Sequence, residues 1–88
     1  MKTTEELLKD AINENLSRTK VMEVEDNGAY NMYSLELDNN NIMMSELAAI
    51  SKVVGDDDLQ VEAIGDWLYV LATIDDDTID EIRNNYYE

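Results

Sequence analysis

The chain has 88 residues with 6 Lys or Arg against 21 Asp or Glu, a formal net charge of -15, and no His, Cys, Pro or Phe. That length suits one small domain around one core rather than two. Without Cys there is no disulfide framework, thiol nucleophile or thiolate metal site, and without His the commonest general base and zinc ligand are missing too.

The charge is unevenly placed. Residues 1–20 balance Glu5, Glu6, Asp10 and Glu14 against Lys2, Lys9, Arg18 and Lys20, so they sum to zero; beyond Lys20, 17 acids face only Lys52 and Arg83, and 2 minus 17 gives the whole -15. Hydrophobic residues make up 44% of the chain and the acids recur among them, which argues against a disordered acidic tail. No apolar run approaches the roughly 18 residues of a membrane span, and the first residues lack the apolar block of a signal peptide. A cytoplasmic protein without membrane association is expected.

In chain order, Thr3 with Glu6 three residues on forms a capping box. Leu7, Leu8, Ala11, Ile12 and Leu16 then recur at helical spacing, which predicts a helix over about 4–16. The period next falls to two. Met22 and Val24 alternate with Glu23 and Glu25, Asn27-Gly28 interrupts, and Tyr33, Leu35 and Leu37 alternate with Met32, Ser34 and Glu36. This predicts a hairpin over about 20–37 closed by a tight type I′ turn at Asn-Gly. Asp38-Asn39-Asn40-Asn41 offers N-cap candidates for a helix over about 42–54, which Gly55 ends. Met43 and Met44 at its start are read as part of its apolar stripe, of which only one can face fully inward.

A second hairpin is predicted over about 59–74, turning at Gly65-Asp66; its second strand, Trp67 to Ile74, is apolar on both faces and is expected to be interior and covered on both sides. Tyr30 and Trp67 are expected to pack across their own hairpins beside the turns. A last helix over about 78–87 carries Ile79, Ile82 and Tyr86, with the Asp75-Asp76-Asp77 run doubling as its cap. The fold class is therefore α+β, with order α-ββ-α-ββ-α and a four-stranded, mainly antiparallel sheet packed with helices.

Little catalytic chemistry is available. The serines have no His to activate them, the glycines at 28, 55 and 65 are too far apart to cradle a phosphate, and no Asp cluster continues into the ligand spacing of an EF-hand loop. The expectation is a non-enzymatic protein with no cofactor and no metal.

The distinctive feature is the acidic surface on Glu23, Glu25, Asp26, Glu36, Asp38, Asp56, Asp57, Asp58, Glu62, Asp66, Asp75, Asp76 and Asp77. On a strand, Glu23 and Glu25 stand about 6.6 Å apart on one face. Such a surface repels nucleic acid, so direct nucleic-acid binding is not expected, and it is drawn to the basic grooves that hold nucleic acid. In size, in the balanced first helix and in the acidic hairpin and loops, the chain resembles phage and mobile-element DNA mimics of the anti-restriction and anti-CRISPR type. The resemblance is compositional and architectural over the whole chain and rests on no diagnostic motif, so it transfers no residue role. It implies that the acidic face occupies the site where a basic nucleic-acid-binding protein holds its duplex. The competing expectation is a small protein-protein interaction module of a phage or mobile element, binding through Met43, Met44, Trp67 and Tyr86, with self-association to a homodimer left open.

Overall fold

Helix α1 (Thr4–Asn13) begins where the sequence places it. The Thr3 hydroxyl accepts the Glu6 N–H at 3.1 Å while the Glu6 carboxylate accepts the Thr3 N–H at 2.9 Å. In this computed structural model, which describes residues 2–38 and 42–87 (of 86 and 87 the backbone), the helix stops at Asn13 and not at 16. The Asn13 side chain is turned onto the next strand, with Oδ1 accepting the Val21 N–H at 2.8 Å and Nδ2 donating to the Val21 carbonyl at 3.1 Å. At the same end the Asn15 side chain takes the Ala11 carbonyl, with Nδ2 donating at 2.9 Å, in the way Asn side chains compete with helical hydrogen bonding.

The remaining elements are β1 (Val21–Asp26), β2 (Met32–Leu37), α2 (Met44–Val54), β3 (Gln60–Ile64), β4 (Trp67–Thr73) and α3 (Asp76–Tyr87). The expected α+β class and α-ββ-α-ββ-α order are observed, with an antiparallel four-stranded sheet in the spatial order β1-β2-β4-β3. Each hairpin thus contributes its second strand to the sheet centre. Tyr33, Leu35 and Leu37 of β2 and Leu68, Val70 and Ala72 of β4 point to one face, where they form a single core with Leu7, Leu8, Ile12, Ile50, Ile79 and Ile82 of the helices.

Four local readings are corrected. Val21 and Val24 are both buried, whereas Met22 is 43% exposed, because a bulge between Val21 and Glu23 inserts Met22 and resets the alternation. The first turn is not a two-residue type I′ turn. Asp26 Oδ1 accepts the Gly28 N–H at 2.8 Å, and Gly28 (φ 88°) and Asn31 (φ 57°) carry the positive dihedrals while Asn27 does not, so the connection takes residues 27–31. Strand β4 is interior but covered on one face only: Trp67 is 41% exposed and Tyr69 and Leu71 are half-buried on the other, because the helices pack in one layer. Met44 is 80% exposed and Met43 49%, since the buried stripe of α2 is Glu46, Ile50 and Val54. Helix α2 begins at Met44, with Met43 as an N-cap that makes no side-chain capping bond. The candidate caps Asn39, Asn40 and Asn41, and the side chains of Tyr86 and Tyr87, lie outside the described residues.

Helix α3 begins slightly earlier than expected, at Asp76, and Asp75 caps it by accepting the Thr78 N–H at 2.8 Å. Those hydrogen bonds hold the Asp75 carboxyl below the ordinary carboxylate range. A depressed folded-state pKa contributes stability that is fully present above the unfolded-state value and lost as pH falls through the folded one. The stability gap between the wild type and Asp75→Ala, measured by urea unfolding across acid pH, is expected to be widest at neutral pH and to narrow on acidification. A gap independent of pH would contradict the charged cap.

Candidate acidic interface

The face of the sheet turned away from the helices is crossed by one row of directly opposed residues, Glu23, Glu36, Tyr69 and Glu62, one from each strand in spatial order. The next row holds Glu25, Ser34, Leu71 and Gln60. Facing side chains on neighbouring strands stand about 5 Å apart, so Glu23, Glu25 and Glu36 make a compact negative patch, and they line a shallow depression with Ser34 and Tyr69. The Tyr69 hydroxyl donates to Glu36 Oε1 at 3.1 Å. That bond, then desolvation and the charges of Glu36 and Glu25, raises the Tyr69 phenol above its ordinary value. Glu36→Gln is expected to bring the Tyr69 titration, followed by carbon NMR, back toward ordinary tyrosine.

Most of the remaining acids gather at one end of the sheet, where three loops meet. The Ile74 N–H donates to the Asn31 carbonyl at 2.8 Å, the Tyr30 hydroxyl lies 3.4 Å from Asp76 Oδ2, and Asp56 Oδ2 accepts the Thr73 N–H at 2.8 Å. These contacts bring Asp26, Asp56, Asp57, Asp58, Asp75, Asp76 and Asp77 to the end of the sheet next to Glu25. Asp38 and Asp66 sit at the opposite end, Asp38 beside Lys20 (3.4 Å from carboxylate to backbone N–H) and Asp66 in the β3–β4 turn. The sequence-predicted acids therefore fall into a face, a contiguous end and a separate pair.

Besides Asp38, which accepts the Lys20 N–H, three of them are committed to the fold. Asp26 closes its own turn, Asp56 accepts both the Thr73 and the Asp58 N–H groups, and Asp75 caps α3. Asp57, Asp58, Asp76 and Asp77 are exposed. Lys2, Lys9 and Lys20 share a shallow hollow along α1, where Lys2 pairs with Asp10; Lys9 also lines a hollow with Glu23 at the β1 edge, and Lys52 lines one with Gly55 and Thr78. Among the described residues no group of three or more carboxylates is arranged to hold a metal ion. No helix among them is long and apolar enough to cross a membrane.

Two residues outside the predicted set matter to this surface. Tyr69 stands between Glu36 and Glu62, a placement that depends on strand register. Glu46 is 4% exposed and accepts the Arg18 N–H at 2.7 Å and the Thr19 N–H at 3.1 Å, tying α2 to the connection that enters β1. Its sequence signal was the Glu46, Ile50, Val54 spacing, which puts it on the buried stripe. Tyr30, expected to pack across its hairpin, is instead 84% exposed in the 27–31 connection, whereas Trp67 does pair with Ile64 across β3 and β4. Comparison with family models, with curated protein sequences and with solved structures finds no match.

Proposed function

We propose that this protein is a non-enzymatic inhibitor that occupies the basic nucleic-acid site of a partner, a DNA mimic of the anti-restriction or anti-CRISPR type acting in the cytoplasm. One observation carries this reading: the carboxylates of the open face continue without an intervening basic residue into the cluster at the 27–31 end. The longest dimension of the molecule is 36 Å. Duplex DNA of that length carries about 21 charges at one per roughly 1.7 Å, the same order as the net -15 borne here. Glu23 and Glu25 lie about 6.6 Å apart along β1, and Glu36 is one strand away. A rigid sheet presents these charges at little ordering cost, which favours tight and fast association with a basic groove.

The absence of His and Cys fits this role, because a decoy needs shape and charge and no reacting group. The test is competition. Binding to a basic nucleic-acid-binding protein is expected to be displaced by a DNA duplex and to weaken steeply between ~0.05 and ~0.5 M salt, where the Debye length shrinks from over 10 Å to under 5 Å. Binding that persists beside excess duplex and at high salt would overturn it. Exposed Met44 favours a second, apolar contact surface on the helical side, where it lines a groove with Leu47, Leu59 and Val61; exposed Trp67 stands on the opposite, open face of the sheet and does not join it.

A further inference from the structure

We infer that β3 is a self-complementary edge through which two copies of the chain join their sheets into one continuous antiparallel sheet. The inference goes beyond the inhibitor reading and does not rest on it.

The two edges of the sheet differ. Strand β1 is guarded by its bulge at Met22, by Glu23, Glu25 and Asp26, and by its packing against α1. Bulges and charges are the usual protections of an edge. Strand β3 has neither bulge nor Pro nor Lys, carries the single charge of Glu62, and is exposed at all five residues.

The phase of its hydrogen bonds follows from its neighbours. The Ile74 N–H to Asn31 carbonyl bond continues the β2–β4 ladder, so even-numbered residues of β4 bond to β2 and Trp67, Tyr69 and Leu71 bond to β3. Their partners Ile64, Glu62 and Gln60 face inward, and the two-residue turn at Gly65 (φ 62°) closes on the same Ile64–Trp67 pair. The N–H and C=O groups of Val61 and Ala63 therefore point away from the sheet, with only solvent to satisfy them.

A second copy satisfies them in a defined register. Antiparallel pairing centred on Val61 sets Val61 against its own copy, Ala63 against Leu59, and Gln60 against Glu62. Centring on Glu62 would set two carboxylates face to face, which is disfavoured. With the two-fold axis normal to the sheet, both helical layers lie on the same side, and the apolar groove between α2 and β3, lined by Met44, Leu47, Ala48, Leu59 and Val61, meets its copy. A basic strand from another protein would find one carboxylate in this edge, whereas the copy matches it in length and apolar content. The flanking Asp57 and Asp58 of one copy come alongside Gly65-Asp66 of the other, so like charge opposes the dimer and added salt favours it.

Sedimentation equilibrium is expected to show a monomer–dimer equilibrium that tightens between ~0.05 and ~0.5 M salt, the opposite sense to binding of a basic partner. Val61→Pro, which removes only an outward N–H, and Val61→Lys are each expected to weaken dimerisation by at least about tenfold with circular dichroism unchanged. In the wild type, the Val61 and Ala63 amides are expected to exchange quickly when dilute and to gain protection with concentration. A chain that stays monomeric at high salt, or a dimer in which those two amides gain no protection, would overturn the inference even if both variants failed to fold. Neither outcome bears on displacement by a duplex.

Discussion

Glu46→Ala is expected to destabilise the fold by about 2–4 kcal/mol, read as a lower urea midpoint with an unchanged slope. The carboxylate lies in the buried stripe of α2 and takes two backbone N–H groups, from Arg18 and Thr19. Truncation removes both acceptors at once. Thr19 is itself only 7% exposed, so its N–H is left without a ready water partner, and a buried unsatisfied donor costs about 1–3 kcal/mol. The effect extends beyond the helix, because the residues Glu46 holds lead directly into Val21, whose register with Leu37 places the bulge and hence Glu23 and Glu25. For a domain of this size the loss corresponds to a fall of about 10–25 °C in melting temperature. Glu46→Gln keeps one carbonyl oxygen as acceptor and is expected to lose less than half as much. An Ala variant within about 0.5 kcal/mol of the wild type would mean that the loop finds other acceptors.

The features legible in the sequence were those encoded by near neighbours. The Thr3–Glu6 box, the glycine ends at Gly55 and Gly65, the alternation of Tyr33, Leu35 and Leu37, and the Asp75 cap depend on residues within a few positions of one another, and they stand as read. Where a side chain reached further, local patterning failed. Asn13 leaves its helix to bond Val21, and Met22 is displaced by a bulge that only the three-residue spacing of Val21 and Val24 signals. The apolar run in β4 predicts cover on both sides, because composition does not say how many helices lie on each face. The acidic residues were all visible, but their grouping was not. It depends on the strand order β1-β2-β4-β3, which brings the 27–31 connection, the Asp56 loop and the start of α3 to one end and strands Asp66 at the other. Asp56 lies in a loop whose local sequence signals no partner, and it accepts the Thr73 and Asp58 N–H groups.

That distinction decides how the acidic interface is tested. Replacing whole Asp runs would remove the Thr73 and Thr78 bonds along with the charge, so lost binding could be lost structure. The informative variant is Glu23→Gln, Glu25→Gln and Glu36→Gln together, which leaves every backbone acceptor in place and keeps an oxygen for the Tyr69 hydroxyl. Two effects of opposite sign are expected. Stability should rise by about 0.2–1 kcal/mol, because Glu23 and Glu36 are directly opposed like charges on neighbouring strands and such a pair is destabilising by about that much. Association with a basic nucleic-acid-binding partner should slow by about 10–100-fold, since steering by the acidic face can raise on-rates by two to three orders of magnitude over a neutral surface. Both differences should shrink toward zero at ~0.5 M salt, as screening removes the repulsion and the steering together. Asp66→Asn, at the far end of the sheet, serves as the control and should change the on-rate by less than about twofold. A surface kept for solubility alone would show the gain in stability without the loss of binding. A triple variant that associates as fast as the wild type in low salt would therefore refute the mimic while leaving the fold described above intact.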